Sequence, residues 1–291
     1  MSRPDVVRDL AALRSRIAGW RQENAQIALV PTMGALHDGH LALVDQARTL
    51  ADRVVVSIFI NPTQFAPNED FASYPRTFET DLDALAGGRA DLVWAPKAID
   101  MYPDGFATTV KVAGPAEGLE THFRPHFFDG VATVCAKLFV QAAPDFAMFG
   151  EKDFQQLAVV RRMASDLNLP LEVVGIPTVR EPSGLALSSR NAYLSEADAA
   201  VAPALYATLL EVAASIRAGR PMPETERAGT ARLLDRGFAS VDYVAVRHQA
   251  TMQPIAEADL TARLKGRVLA AAWLGNTRLI DNIPVANLDE T

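Results

Sequence analysis

Two histidines three residues apart, His37 and His40, sit among Gly34 and Gly39 directly after the apolar run Ile27-Ala28-Leu29-Val30. Where a strand gives way to a helix, backbone amides and ring nitrogens can converge on one anion, and the positive end of the helix dipole favours it. The stretch from Pro31 to His40 is therefore a candidate phosphate cradle. Against this stands a plainer reading, a satisfied and partly buried histidine, because His40 shares a helical face with Leu43 and Ala47. Further along, Lys152 and Asp153 bring a cation and a carboxylate to the start of a helix, where a solvated capping pair is also common. Ser188, Ser189 and Arg190 offer two hydroxyls and a guanidinium fork, a set suited to a leaving polyphosphate, although such a run is also ordinary surface loop.

The elements that must position these groups alternate. Val6, Leu10, Leu13 and Ile17 predict an N-terminal amphipathic helix before a strand at 27–31, and a second helix should run from Gly39 to Ala51. Arg53 to Ile60 is a near-continuous β-branched run, as expected of a strand covered on both faces. Strand, helix, strand in this span is a βαβ unit with parallel strands. The alternation continues with a helix at Thr80–Leu85, a strand at Leu92–Ala95 and a helix at Val131–Val140. It closes with a strand at Phe146–Phe149, a helix at Asp153–Leu167 and a strand at Val173–Pro177. The pattern predicts an α/β fold, a Rossmann-like doubly wound parallel sheet, whose ligands bind beyond the carboxyl ends of the strands. Segments 31–40, 61–65, 150–156 and 178–190 each follow a strand end and are expected to share one crevice.

After residue 178 the pattern changes. A long helical stretch begins at Ser195, is kinked or restarted at Pro203, and gives way to strands at Val241–Arg247, Arg267–Leu274 and Arg278–Val285. Gly275-Asn276-Thr277 makes a hairpin turn between the last two. The expected organisation is a nucleotide-binding domain over residues 1–178 and a smaller C-terminal α+β domain over 179–291.

A length of 291 residues suits two domains, and the net charge of −7 argues against a nucleic-acid surface, so an anionic ligand must be held locally. No apolar run approaches the roughly 20 residues that span a bilayer, and Met1-Ser2-Arg3-Pro4-Asp5 lacks a secretory h-region. A cytoplasmic setting without membrane partners is the expectation. The single cysteine, Cys135, lies in an apolar helical run with no activating histidine or charge, and reads as a core thiol.

His37-x-x-His40 after a strand, with Leu187-Ser188-Ser189-Arg190-Asn191 much later, resembles the paired signature of the nucleotidyltransferase superfamily. Asn61-Pro62-x-Gln64-Phe65, Tyr74-Pro75-Arg76-Thr77, the run Phe149 to Leu157 and the segment Leu274 to Ile283 appear in the order seen in the pantothenate synthetase family, and together they cover nearly the whole chain. The resemblance implies an ATP-dependent ligase that joins pantoate to β-alanine through a pantoyl adenylate, releasing pyrophosphate and AMP. It implies His37, His40, Lys152 and Arg190 as the catalytic set, with His40 as proton donor. ATP would be held by Met33, Gly34, His37, His40, Gly150, Lys152, Asp153, Val179, Leu187, Ser188, Ser189 and Arg190. Here Asp153 and Gly150 take the ribose, Val179 meets adenine through its backbone, and the Ser188–Arg190 segment closes as a lid. Gln64 and Gln156 are the implied pantoate anchors; Gln156 also falls on a stripe with Val160, Met163 and Leu167. Mg²⁺ is implied beside ATP, with Asp81 near the acidic metal contact, although acidic residues in a first helical turn are favoured anyway. A homodimer is implied as well. Rival readings are another nucleotide-transferring member of the superfamily and a non-catalytic nucleotide binder; the latter would be expected to lose His40, Lys152 or Arg190, and all three are present.

One loop departs from the family's Arg-Pro-Gly-His-Phe-x-Gly-Val. Here Arg124-Pro125-His126-Phe127-Phe128-Asp129-Gly130-Val131 puts His126 at the glycine and Phe127 at the histidine. A glycine position can demand positive φ, and His126 offers an imidazole from the neighbouring place. Leu187 replaces the usual Met, an apolar swap of similar volume.

Overall fold

A computed structural model describes residues 2–66, 71–256 and 265–286. The first part alternates as β1 (Asp5–Val7), α1 (Leu10–Gln22), β2 (Ile27–Thr32), α2 (Asp38–Leu50), β3 (Arg53–Ile58), α3 (Phe78–Ala84), β4 (Leu92–Trp94), α4 (Ala98–Met101), α5 (Glu120–Phe123), α6 (Phe127–Ala142), β5 (Phe146–Gly150), α7 (Phe154–Asp166) and β6 (Glu172–Ile176). The six strands form one sheet in the order β1-β4-β3-β2-β5-β6, every pair parallel. Helices cover both faces: α1, α6 and α7 pack on one, α2 and α3 on the other. That is why Ile27, Ala28, Leu29 and Val30 can all be apolar and all buried.

Connectivity runs outward from β2 through β3 to β4, then jumps back to β5 on the other side of β2. The β2–β5 pair, in register at Ala28↔Phe146 and Leu29↔Ala147, is thus the topological switch point, where a crevice opens beyond the carboxyl ends.

The N-terminal expectation needs correcting. Val6 belongs to β1, an edge strand paired with β4, and the helix starts at Leu10 with the Asp9 side chain accepting from the Ala12 amide. Three residues carry too little local pattern to be read as a strand; their partner is some 87 positions away, at residues 92–94.

The C-terminal domain comprises α8 (Glu196–Val201), α9 (Ala204–Arg217), α10 (Met222–Asp235), and an antiparallel sheet of β7 (Ser240–His248), β8 (Gly266–Leu274) and β9 (Thr277–Pro284). Ser195 caps α8 by accepting from the Asp198 amide, and Pro203 separates α8 from α9. Glu196–Arg217 is long and apolar enough to cross a membrane by length and composition, contrary to the expectation from apolar runs. Its inner face, Leu205, Leu209, Val212, Ala213 and Ile216, instead forms the core of this domain against β8 and β9. Helix α10, beginning after Pro221, lies beyond the expected pattern. Gly275, at φ 53, takes the first position of the β8–β9 loop, a hairpin as expected but tighter by one residue, since Thr277 already pairs with Leu274.

Candidate active site

The loop after β2 is built from its own side chains. His37 is the N-cap of α2: its Nδ1 accepts from the Gly39 amide at 3.1 Å, and His40 Nδ1 accepts from the His37 amide at 3.4 Å, a reciprocal capping box made of two imidazoles. With both Nδ1 atoms used as acceptors, each neutral ring carries its proton on Nε2. The ring centroids are 4.1 Å apart. Gly39 is needed for this contact, since a Cβ there would lie 2.8 Å and 2.9 Å from His37 ring atoms.

Gly34 (φ +84) and Ala35 (φ 51) turn the chain between β2 and α2. The amides of Ala35 and Leu36 donate to the two oxygens of Asp81, at 3.1 Å and 2.9 Å, and Thr77 Oγ1 adds a bond at 3.2 Å. Asp81 is buried and does not border the cleft. Its carboxylate bolts α3 to the His37 loop, a structural role beside the implied metal contact. Gly34 likewise serves the turn and does not line the cleft.

Beyond the carboxyl ends lies a cavity of about 820 Å³. Met33, His37 and His40 border it after β2, Gln64 after β3, Gly150, Lys152, Asp153 and Gln156 after β5, and Val179, Leu187, Ser188, Ser189 and Arg190 after β6. The sequence-predicted residues, Gly34 and Asp81 apart, thus meet at one crevice. A Cβ on Gly150 would touch nothing within 4 Å, so that wall stands open to a ligand. Leu187 donates its amide to the Val179 carbonyl at 3.0 Å, tying two of these segments into one wall. Two buried polar atoms on that wall, Thr178 Oγ1 and Asn191 Oδ1, have no partner among the described residues, which suits a site completed by a ligand.

Electrostatics bind the imidazoles to Lys152. Burial, then the neighbouring His37, then the Lys152 ammonium bring His40 down to about 3; burial, then Lys152, lower His37 as well. Both rings are neutral hydrogen-bond donors near pH 7. A neutral ring at His40 offers its Nε2–H to the cleft, which is the proton its implied role as donor would use.

Gln64 is oriented by a chain. Tyr102 Oη donates to Asn61 Oδ1 at 2.8 Å, so Asn61 Nδ2 must donate to Gln64 Oε1, at 2.9 Å, leaving the Gln64 NH₂ as the end available to a ligand. Asn61 is fully buried. A tyrosine far along the chain gives no sequence signal for this pairing. Gln156 lines the cleft, half-buried, and its side chain has no hydrogen bond among the described residues. The buried amide is its neighbour Gln155, which accepts from the Glu120 amide and donates to the carbonyls of Pro115, Glu117 and Gly118. Leu167 departs from the expected inward stripe: it is the C-cap of α7 and half exposed.

The divergent loop is ordinary backbone. His126 sits at φ −104, so no glycine is required there, and it is exposed and outside the cleft lining; Phe127 takes the cleft position. His126 therefore does not supply the missing imidazole. Arg124 stacks 3.8 Å from the Phe127 ring centroid and donates to the Gln64 carbonyl at 3.1 Å. Cys135 borders the cleft but is buried, and burial pushes its thiol up to about 12, which keeps it protonated and inert.

The comparisons with known proteins point to one family. The family model described as pantoate-beta-alanine ligase matches residues 5–284. The chain belongs to that family. It is accordingly an enzyme, an acid–amine ligase. The pantothenate synthetase of Mesorhizobium japonicum is 54% identical over 285 residues, covering 98% of this chain and 99% of that protein. Among solved structures, pantothenate synthetase from Thermus thermophilus aligns with a TM-score of 0.88 at 45% identity, covering 97% of this chain and 100% of that one. Pantoate-beta-alanine ligase from Francisella tularensis, solved with β-γ ATP and β-alanine, aligns at 0.80 and 31% identity, covering 97% and 98%. The expected fold class and family are both met.

A second buried cluster, invisible in the sequence, joins the domains beside the site. Arg278 donates to both oxygens of Glu120 at 2.8 Å and to Asp242 at 2.7 Å, while Tyr243 Oη donates to Glu120 at 2.7 Å. Burial by itself would raise the Glu120 carboxyl; Arg278, helped by Tyr243, outweighs it and holds the group below its ordinary range.

Proposed function

We propose that this ligase works through a pantoyl adenylate. The pantoate carboxylate oxygen bonds to the α-phosphorus of ATP as the bond to pyrophosphate breaks. The β-alanine amine then bonds to the acyl carbon, AMP leaves, and the amine sheds a proton to become the amide. The observation that carries this is the meeting of His37, His40 and Lys152 at the β2–β5 switch point, with the ammonium close enough to depress both imidazoles. Two neutral N–H donors and one cation suit a polyphosphate, whose charge must be offset before a carboxylate can approach, and they act where charge develops at the α-phosphorus.

In this reading Lys152 and Arg190 hold the phosphates, Ser188 and Ser189 add hydroxyl donors, and the segment closes over ATP as a lid. Met33 and Val179 border the nucleotide, Leu187 packs beside it, and Gly150 with Asp153 accepts the ribose. Gln64 and Gln156 take pantoate. ATP as substrate accords with the nucleotide bound in the Francisella tularensis enzyme. Mg²⁺ bound with ATP would supply charge to offset the phosphates; among the described residues no three His, Cys, Asp or Glu side chains converge to hold a resident ion. A homodimer, a cytoplasmic setting and a domain division at residue 178 remain part of the proposal.

The test is half-reaction chemistry. ATP and pantoate should yield pyrophosphate, and AMP should follow once β-alanine is added. Label exchange between pyrophosphate and ATP that proceeds without pantoate would remove the adenylate. His40→Ala should abolish exchange while the far-UV spectrum stays native; retained exchange would remove the ring's role.

A further inference from the structure

The turn that carries Lys152, residues 151–153, is a single 3₁₀ turn between β5 and α7 with no side-chain cap of its own. Such a turn is short and its carbonyls need outside partners. They find one across the domain boundary. Asn282, buried on β9, donates from Nδ2 to the carbonyls of Glu151 at 2.9 Å and Lys152 at 2.8 Å. Its Oδ1 accepts from Arg267 Nε, and Arg267 Nη2 donates to the Glu151 carboxylate at 2.8 Å while the guanidinium lies 3.7 Å from the Phe154 ring centroid. The Asn282 amide N–H goes to Asp281 Oδ1 at 2.7 Å, and Arg180 holds both Asp281 oxygens at 2.6 Å and 2.9 Å.

Asn282 borders the cleft, yet both ends of its side chain are committed within the protein. The amide has one workable orientation, because a flip would set Oδ1 against two carbonyls and two N–H donors against a guanidinium. We propose that Asn282, held by Arg267, is a positioning residue for Lys152, so that the phosphate-handling half of the reaction depends on the packing of the C-terminal sheet. This rests on the reading of Lys152 as a phosphate-binding group.

The experiment compares Asn282→Asp, which keeps the size and the Arg267 bond but removes both donations, with Asn282→Ser as a second route should the first fail to fold. Circular dichroism and melting confirm which variants are native. Pantoate-dependent pyrophosphate–ATP exchange should fall about 10- to 100-fold. Aminolysis of supplied pantoyl adenylate by β-alanine should be unchanged. The His37 imidazole, followed by NMR, should titrate at higher pH than in the parent, since the ammonium is displaced. In a Lys152→Ala background, Asn282→Ser should cause no further loss of exchange. Equal losses in both half-reactions, an unmoved His37 titration, or an additive loss in that background would overturn the positioning role. If Lys152→Ala abolishes exchange and the folded Asn282 variants do not impair it, the positioning role alone falls. If Lys152→Ala leaves exchange intact, the reading of Lys152 falls and this inference falls with it.

Discussion

The loop after β2 and the turn after β5 end adjacent strands at the same crevice, yet different parts of the chain hold them. The β2 loop is nearly self-sufficient: its two histidines cap their own helix, and one outside carboxylate, Asp81, braces its amides. The β5 turn has no cap of its own and is braced by Asn282 and Arg267, more than a hundred residues later. Local bracing makes a group part of the N-terminal fold. Remote bracing makes its position depend on how two domains meet.

Breaking the local brace should have the largest effect. Asp81→Ala strands two half-buried backbone N–H donors, and about 2 kcal/mol of stability should be lost in urea titration. Loss of under about 1 kcal/mol would show that water takes the carboxylate's place. Gly39→Ala sharpens the contrast, because the added Cβ meets a side chain that can swing away. Its melting temperature should move little while exchange activity falls about tenfold from the displaced His37; the reverse ranking would place the His37 ring outside the chemistry.

A pH series probes the same loop. His40 is neutral in the folded protein down to about 3, whereas the unfolded chain takes up a proton below its ordinary value of 6.5. Stability should therefore be flat above pH 6.5 on this account and fall with acidification, by about 1.4 kcal/mol per pH unit toward pH 3. His40→Asn should flatten that slope; an unchanged slope would assign it to other groups. The smallest effect belongs to Cys135, which borders the cleft without serving it. Cys135→Ala should leave kcat unchanged and cost about 1 kcal/mol, and thiol reagents should fail to react with the native protein.

Much of this was legible in the residues. The apolar strands 27–32 and 53–58, the glycines at the turn and the paired histidines carry their reasons locally, in burial on both faces, backbone conformation and helix capping. Gln156 was legible as a cleft residue, but its neighbour Gln155 was not legible as the buried amide, because its four partners lie 35 to 40 positions away. The bracing role of Asp81 was hidden for a related reason. An acidic residue in a first helical turn looks the same whether it faces solvent, a metal or the backbone of another loop.

By itself the sequence determined the central strands and helices of the parallel sheet and which family the chain resembles, since each of these depends on residue type and short-range spacing; the edge strand β1 and helix α10 escaped it. Tertiary structure decided that the imidazoles are neutral, that Asp81 is a brace and that Lys152 is steadied from β9. Charge state and orientation depend on burial and on partners brought close by folding, and their separation along the chain leaves no periodic trace.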